Sequence, residues 1–431
     1  MQPGDQIEVE TAEEKIKGTY IPSPDSDTLI VKLPSGYNIG VSRKRIKSVK
    51  VMQHTTGAAK TAPAAPQALS KGLRKITILH TGGTIASKVD YRTGAVTARF
   101  TPEEILGMLP ELTEIASIDS RLLSNMWSED MRFAHYNAMA KEVAKEEGNG
   151  VDGVIVTHGT DTLHYSAAAL AFALQGIGIP VIMVGSQRSS DRGSSDAALN
   201  LISAAYFISN SDFSGVAICM HETISDTTCL ILPPAKTRKM HTSRRDAFRP
   251  INARPIARVD YAERKIGFMQ AYQKRDRQRK PEPRLFKENL KIGILKAHPN
   301  LYPQEIEAYN GFDGLVIEGF ALGHFPIDKV DEHTEIHKKN LEAIERLCGQ
   351  MPVVMASQAI YGRLQMNVYS TGRDLQKAGV LGHLSDMTPE TTFIKLAWLL
   401  SNYPKEKAAG LMTKNLIGEI SERTEMDTFL T

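Results

Sequence analysis

Hydrophobic and polar positions alternate with period two through the first fifty residues, as in Ile7 and Val9 or Ile46-Lys47-Ser48-Val49. Such alternation predicts half-buried strands, here at 6–10, 15–21, 28–33, 37–41 and 46–51, with turns at Ser23-Pro24-Asp25 and Pro34-Ser35-Gly36. Five short strands in so little chain suggest a small β-barrel over residues 1–51, because closure removes exposed sheet edges. A docking module and a dimer-stabilising element fit that pattern equally. Residues 52–73 lose the alternation: Thr55-Thr-Gly-Ala-Ala-Lys-Thr-Ala-Pro-Ala-Ala-Pro66 has few large apolar groups. It cannot bury a core and reads as a flexible, partly extended linker.

From Arg74 onward short apolar runs alternate with helical periodicity. Ile76–Leu79, Val151–Thr157, Pro180–Val184 and Gly215–Met220 read as buried strands. Between them, 130–147 carries helical spacing (Met131, Ala134, Ala138, Val143), 165–174 is a helix rich in Ala, and 197–207 is a further helix. Thr101-Pro102-Glu103-Glu104 has the form of a capping box with Pro in the first turn. Strand–helix alternation predicts an α/β lobe over 74–260 built on a parallel sheet covered on both faces. In that architecture ligands bind beyond the carboxyl ends of the strands, so the loops after Leu79, Val156, Val184 and Met220 are the ones to inspect. A basic stretch from Arg238 to Arg284 reads first as a solvated linker, assigned to 261–290, with contact to RNA phosphates as the alternative. A second α/β lobe over 291–431 begins at Lys291-Ile-Gly-Ile-Leu295, with strands at 314–317 and 353–355, a helix at 335–347 and a last helix opened by Thr388-Pro389.

Composition narrows the class without changing the layout. Hydrophobic content of 42% and charged content of 23% suit a globular chain with real cores, and a net charge of +3 is too small to argue for nucleic-acid binding by the whole chain. Cys219, Cys229 and Cys348 are too few for a disulfide framework and lack metal-ligand spacing; they read as buried thiols in a reducing compartment. Met1-Gln-Pro-Gly-Asp5 does not resemble a signal peptide and no apolar run is long enough to span a bilayer, so the expectation is a cytoplasmic protein without membrane contact.

The candidate chemistry sits at two strand ends. Ile76–Leu79 feeds His80-Thr81-Gly82-Gly83-Thr84, a glycine turn that permits positive φ and close approach of a ligand, with a hydroxyl just beyond it. Alone, that turn is equally well an ordinary strand-to-helix connection with Thr84 as a cap. His158-Gly159-Thr160-Asp161-Thr162 places a second hydroxyl beside a carboxylate at another strand end, where Asp161 either holds a substrate ammonium or caps the Ala-rich helix.

Together, Thr81-Gly-Gly-Thr-Ile-Ala86 and His158-Gly-Thr-Asp161 resemble the paired signature of the bacterial-type L-asparaginase/glutaminase family. The resemblance continues through Gly185-Ser-Gln-Arg188, Lys239 and Ser357-Gln358, covering about residues 74 to 402. It implies an asparaginase-like fold of two lobes, a larger N-terminal parallel-sheet lobe and a smaller C-terminal α/β lobe, with the site mainly in the first and completed across a homodimer. It casts Thr84 as the nucleophile on a side-chain amide, and Thr160, Lys239 and Asp161 as a triad in which lysine replaces histidine. A threonine hydroxyl attacks only once a base takes its proton, and a lysine serves only if burial or cationic neighbours such as Arg238, Arg244 and Arg245 lower its proton affinity. Asp161 would also hold the substrate α-ammonium, and backbone N–H groups near Gly83–Thr84 or Thr160 would receive the oxyanion. Tyr91 matches the tyrosine beside the nucleophile, and Ser128-Glu129 matches a Ser-Gln pair at the substrate α-groups, with Glu129 as a departure that adds negative charge.

The leading SH3-like barrel, the Ala/Pro linker and Arg238-Lys-Met-His-Thr-Ser-Arg-Arg-Asp-Ala-Phe248 resemble one branch, the D subunits of archaeal glutamyl-tRNA(Gln) amidotransferases. Membership implies hydrolysis of L-glutamine (or L-asparagine), with ammonia passed to an E subunit that uses ATP and Mg to amidate Glu-tRNA(Gln). It implies a homodimer within a heterotetramer, tRNA(Gln) held mainly by the partner, and no cofactor on this chain. The chain has no Gly-Lys dipeptide and hence no G-x-x-x-x-G-K-[ST] phosphate loop, which agrees with ATP chemistry elsewhere. A free-standing L-asparaginase is the nearest rival. A dinucleotide-dependent oxidoreductase fails because Thr81-Gly-Gly-Thr84 is not G-x-G-x-x-G, and a metalloenzyme fails because no histidine follows His221-Glu222 at zincin spacing. A non-catalytic RNA-binding scaffold leaves both threonine motifs unexplained.

Overall fold

The computed structural model describes the chain except residues 3, 24, 34–37, 55–71, 84–86, 91–94, 99–108, 189–194, 280–281 and 430–431. Most of the expected linker, the Pro34-Ser35-Gly36 turn and the Thr101–Glu104 capping box lie outside the described residues.

At the N-terminus the alternating segments form five antiparallel strands, β1 (Gln6–Thr11), β2 (Lys15–Ile21), β3 (Thr28–Lys32), β4 (Asn38–Ser42) and β5 (Ile46–Gln53). Their order is β4-β3-β2-β1-β5, so the last strand returns beside the first, with register shifts at Gln6/Ile7 and Glu10/Thr11 that bend β1. Ile7, Val9, Ile16, Leu29, Val31 and Val41 close a separate small core on one face.

The first large lobe is an eight-stranded sheet. It contains β6 (Lys75–Gly82), β9 (Ser117–Met126), β10 (Gly153–Thr157), β11 (Pro180–Val184) and β12 (Gly215–His221), all parallel; β7 (Ser87–Asp90) and β8 (Ala95–Ala98) form a hairpin apart from it. Three further strands, β13 (Thr228–Leu232), β16 (Ala257–Asp260) and β17 (Lys265–Phe268), continue the sheet antiparallel to β12 and to one another. The sheet is thus mixed rather than wholly parallel, and part of the 261–290 segment expected as linker is strand. The reason is local: β17 is four residues long with no buried position, and its neighbour β16, at the end of the expected lobe, alternates buried Ala257 and Val259 with exposed Arg258 within a basic run. Between β13 and β16 the chain folds the short hairpin β14 (Thr237–Lys239) and β15 (Phe248–Pro250).

Strand alternation divides the core between two faces. Ile76, Ile78, Ile155, Ile182 and Val184 pack with helix α1 (Glu111–Ile115) and helix α4 (Ala197–Asn210), while Leu79, Val154, Val156, Val181 and Met183 pack with α2 (Phe133–Gly148) and α3 (Leu163–Ala173). Helix α3 is apolar all round and buried at every position except Tyr165, because a second layer covers it. That layer is α8 (Pro389–Asn402) of the second lobe, whose Trp398 stacks on Phe172 at 5.5 Å.

The second lobe holds three parallel strands, β18 (Ile292–Lys296), β19 (Gly314–Gly319) and β20 (Val353–Ser357). Helices α5 (Pro303–Glu307), α6 (Ile336–Gln350), α7 (Ser370–Lys377) and α9 (Lys405–Leu411) complete it. Thr388 Oγ1 accepts from Thr391 N and starts α8 at Pro389. Two buried ion pairs fix the tail and the junction: Lys395–Glu419 and Lys236–Asp386, each at 2.6 Å. Lys236 lies in the first lobe and Asp386 in the second, so this pair, also bonded to Ser421, stands just before β14.

Candidate active site

Two loops meet at the carboxyl edge of the first sheet. β6 ends in Gly82 and Gly83, whose φ values of 106° and 78° only glycine adopts without strain. The neighbouring β10 ends in His158 and Gly159. A Cβ on Gly83 would overlap the Gly159 Cα and N, so the two backbones touch directly. Thr84 and Thr160 are the residues that follow this contact; Thr84 and Tyr91 lie outside the described residues. Gly159 is itself closed from the other side, since a Cβ there would stand 2.8 Å from Ser128 Cβ and 2.9 Å from Ser128 Oγ. Ser128 is buried and its carbonyl accepts from Thr162 Oγ1 at 2.6 Å, which brings it against the Thr160 loop. Glu129, the next residue, is exposed.

Lys239 reaches this edge from far along the chain. Its Nζ donates to Thr160 Oγ1 at 2.9 Å and to Asp161 Oδ1 at 2.7 Å. The β14–β15 hairpin delivers it: Lys239 pairs with Phe248, a fully buried side chain, and Thr237 Oγ1 donates to the Pro233 carbonyl at 2.6 Å. Thr160 is buried and Asp161 largely exposed, so Lys239 bridges from the interior to the open edge. The cationic neighbours expected to act on Lys239 are engaged elsewhere. Arg238 pairs with Glu390 at 3.0 Å, Arg244 with Asp246 at 2.8 Å, and Arg245 with Asp226 at 2.5 Å. His158 stands next in sequence to the site yet is no base: its Nδ1 bonds the Gly159 carbonyl, its Nε2 meets Ser166 Oγ at 2.8 Å, and burial pushes its pKa down to about 4.

Three family profiles match the chain: "GatD N-terminal domain" over residues 1–52, "Asparaginase, N-terminal" over 75–272 and "Glutaminase/Asparaginase C-terminal domain" over 291–410. The glutamyl-tRNA(Gln) amidotransferase D subunit of Pyrococcus horikoshii is 44% identical over 438 residues, spanning 98% of this chain and 95% of its own length. Its counterpart of the same name from Methanococcus maripaludis strain C5 is 38% identical over 436 residues, spanning 99% and 100%. The chain belongs to the family of glutamyl-tRNA(Gln) amidotransferase D subunits. Among solved structures, the thermostable L-asparaginase from Thermococcus kodakarensis superposes with a TM-score of 0.68 at 29% identity, covering 81% of this chain and all of that one. L-asparaginase I from Vibrio cholerae does so with a TM-score of 0.68 at 26% identity, covering 81% and 99%.

Around the site this D-type chain carries groups that sequence reasoning did not single out. Behind Lys239 lie His164 and Glu390. Burial drives the His164 pKa down to about 4, with Glu390 opposing and Arg238 and Lys239 adding to the effect. Under the Gly185-Ser-Gln-Arg188 loop sits Asp196, whose carboxylate accepts from the backbone N–H of Gln187 at 3.0 Å and of Arg188 at 3.1 Å and from Ser186 Oγ at 3.0 Å. Asn200, one turn further along α4, donates to the Gly185 carbonyl and meets His221 Nδ1 at 2.7 Å. Burial opposes charge on His221, but its bonds to Asp226 and Cys229 and the nearby Asp196 raise its pKa to about 10. The i, i+4 spacing of Asp196 and Asn200 on a helix was the one signal in the sequence that pointed to this node. Ser357-Gln358 bonds within the second lobe instead: Gln358 Nε2 donates to the Ala297 and Glu318 carbonyls, and Ser357 Oγ to the Ala321 carbonyl. Among the described residues no group of three or more His, Cys, Asp or Glu could hold a metal ion, and no helix is long and apolar enough to cross a membrane.

Proposed function

We propose that this chain is the glutamine-hydrolysing subunit of a glutamyl-tRNA(Gln) amidotransferase, acting through Thr84, Thr160, Lys239 and Asp161. The observation that carries the chemistry is Lys239 Nζ, held 2.9 Å from Thr160 Oγ1 and 2.7 Å from Asp161 Oδ1, beside the loop on which Gly83 packs. Thr84 Oγ attacks the side-chain amide carbon, and the tetrahedral oxyanion is received by backbone N–H groups of the two glycine loops. Thr160, held by Lys239, passes the threonine proton to the departing nitrogen. The C–N bond breaks, ammonia leaves, and a threonine ester remains. Water then attacks that ester, releases glutamate and restores Thr84. Ser128 and Glu129 hold the substrate α-groups together with the second oxygen of Asp161, and Tyr91 is assigned to the chemistry of the nucleophile.

Ammonia then passes to an E subunit, which uses ATP and Mg to activate Glu-tRNA(Gln). The chain works as a homodimer within a heterotetramer, in the cytoplasm, with tRNA(Gln) held mainly by the partner. Full-length agreement with the D subunits supports this reading over a free-standing L-asparaginase, since the asparaginase structures leave about a fifth of the chain unmatched. The test is ammonia release from glutamine by the purified chain, with and without the E subunit and tRNA. Thr84→Ala and Lys239→Ala are each expected to lose at least about 10³-fold while remaining folded. Undiminished glutamine turnover in either variant sinks the assignment, and fast partner-independent turnover of asparagine favours the asparaginase.

A further inference from the structure

At the opposite end of β6 and β10 from Thr160, three arginines crowd one carboxylate. Asp152, just before β10, accepts from Lys75 N at 2.8 Å through Oδ2, and through Oδ1 from Arg74 at 2.9 Å, Arg275 at 3.4 Å and Arg277. Arg275 is nine-tenths buried; its Nη2 also donates to the Ile208 and Ser211 carbonyls, and its Nε is buried with no hydrogen-bond partner. Arg74 and Arg277 are about half exposed, at 44% and 55%, and make no other side-chain hydrogen bond among the described residues. The adjoining Asp212 is shared between the Tyr272 hydroxyl at 2.6 Å and Lys274 at 3.4 Å.

Charge does not balance here. Among the described residues Arg74, Lys274, Arg275 and Arg277 form their ion pairs with Asp152 and Asp212, an excess of two positive charges within the paired set. Asp276 is taken up by Arg279 at 3.2 Å, while the Glu147 carboxylate accepts from the Gly178 N–H at 2.8 Å and keeps its charge. The flanking sequence adds more cations than anions: residues 55–71 contain no acidic side chain but two lysines, and between Arg277 and Arg284 the one acidic residue, Glu282, stands against Arg279 and Lys280. Burial and the neighbouring Arg74 and Arg277 press the Arg275 pKa down to about 10, which registers the same crowding. A structural staple needs one guanidinium per carboxylate; three guanidiniums with two forks open to solvent form an anion cradle.

We propose that Arg74, Arg275 and Arg277 form a binding site for a phosphate group at the amino ends of β6 and β10. A phosphate carries close to two negative charges near pH 7, which matches the excess, whereas a carboxylate would cancel half of it. Asp152 orients the guanidiniums and leaves the outer N–H groups of Arg74 and Arg277 for the ligand. The site is distinct from the hydrolytic one, since β6 alone spans about 25 Å between them. The phosphate belongs either to a small free anion or to an RNA backbone, and the two sources separate experimentally.

Thermal unfolding of the full chain is compared in inorganic phosphate and in chloride of equal ionic strength, for the wild type and for Arg74→Gln/Arg277→Gln. Phosphate stabilises folded proteins in general, so the double variant supplies the baseline. A site of millimolar affinity raises the wild-type Tm by about 1–3 °C beyond that baseline. In parallel, a fluorescent twelve-base-pair RNA duplex is titrated at low salt, with at least about tenfold weaker binding expected in the double variant if the backbone is the ligand. A response to phosphate alone identifies a small anion; a response to RNA alone identifies the backbone. Equal behaviour of wild type and double variant towards both probes overturns the proposal. Both arginines are surface groups remote from Thr160, so glutamine turnover is expected to be unchanged and reports folding; Arg277→Gln alone serves if the double variant does not fold.

Discussion

In the first lobe β6 and β10 run out into Gly82-Gly83 and His158-Gly159, whose backbones touch. In the second, β18, β19 and β20 run out beneath the Gln358 carboxamide, which donates to Ala297 O at 2.6 Å and Glu318 O at 2.8 Å. Both edges are carboxyl ends of parallel strands, the place where α/β sheets put ligands. The first edge uses glycines to bring loops together while Thr160 and Lys239 project between them. The second consumes its carbonyls with a side chain, and Ser357 Oγ donates to Ala321 O at 2.7 Å to finish the closure. Topology therefore nominates both edges, and only the side chains decide which one is open to chemistry.

The strongest way to break this contrast is Gly83→Ala. The new Cβ would overlap Gly159 and would have to sit at φ 78°, so either the two loops separate or the backbone twists. An αL alanine alone costs about 1 kcal/mol, and displacing a reacting group by about 1 Å can cost about 10²-fold in rate. We expect glutamine turnover to fall at least about 10²-fold, with a smaller loss of thermal stability, measured by ammonia release and calorimetry on the same sample. Full activity would mean that the glycine contact does not set the site.

How far the sequence carried these features depends on their range. The two threonine loops were legible because glycine, hydroxyl and carboxylate stand side by side at strand ends. The Ala-rich helix was legible because it is apolar on every side, and the structure shows why, with Trp398 stacked on Phe172. The β14–β15 hairpin was not, since Thr237–Lys239 and Phe248–Pro250 are three-residue strands in a basic run, too short for any period to show. The same shortness hid β16 and β17. His164 and Glu390 escaped because each acts through partners distant in sequence, Asp196 because its partners are mostly backbone N–H groups of the preceding loop, and Arg238, Arg244 and Arg245, expected beside Lys239, each pair with a carboxylate of their own.

A pH titration sharpens the contrast from the stability side. His158 and His164 both lie on the first-lobe edge and are pushed down to about 4, chiefly by burial. Unfolded histidine titrates near 6.5, so between pH 6.5 and 4 the unfolded chain binds protons that the native chain refuses, and stability falls as pH falls. The expected loss by pH 4.5 is roughly 2–3 kcal/mol per histidine as an upper figure. His221 works the other way: its contribution is complete below pH 6.5 and fades as pH rises towards 10, so it does not mask the acid loss. Calorimetry from pH 7 to 4.5 should show the decline, and His164→Gln should flatten it.

Gln358→Ala tests the closed edge. It removes two donations to strand-end carbonyls, for which about 1–2 kcal/mol is expected, read as a Tm lower by a few degrees. Turnover per folded molecule should hold. If turnover collapsed with the Tm unchanged, the second edge would be part of the chemistry and the contrast between the lobes would dissolve.

The finest distinction lies within the open edge, at Glu129. Asp161 has been assigned the substrate α-ammonium, yet its Oδ1 already accepts from Lys239 at 2.7 Å, which cancels much of its charge. An exposed carboxylate beside buried Ser128 restores an anion where the ammonium would bind. On the proposed assignment of the α-groups, the Gln-to-Glu departure compensates for the Lys239 contact rather than opposing the substrate. Glu129→Gln should accordingly raise KM for glutamine by about three- to tenfold, the worth of roughly 1 kcal/mol for a solvent-screened charge pair, with kcat nearly unchanged. A fall in KM would place Glu129 against the α-carboxylate instead and return the ammonium to Asp161 alone.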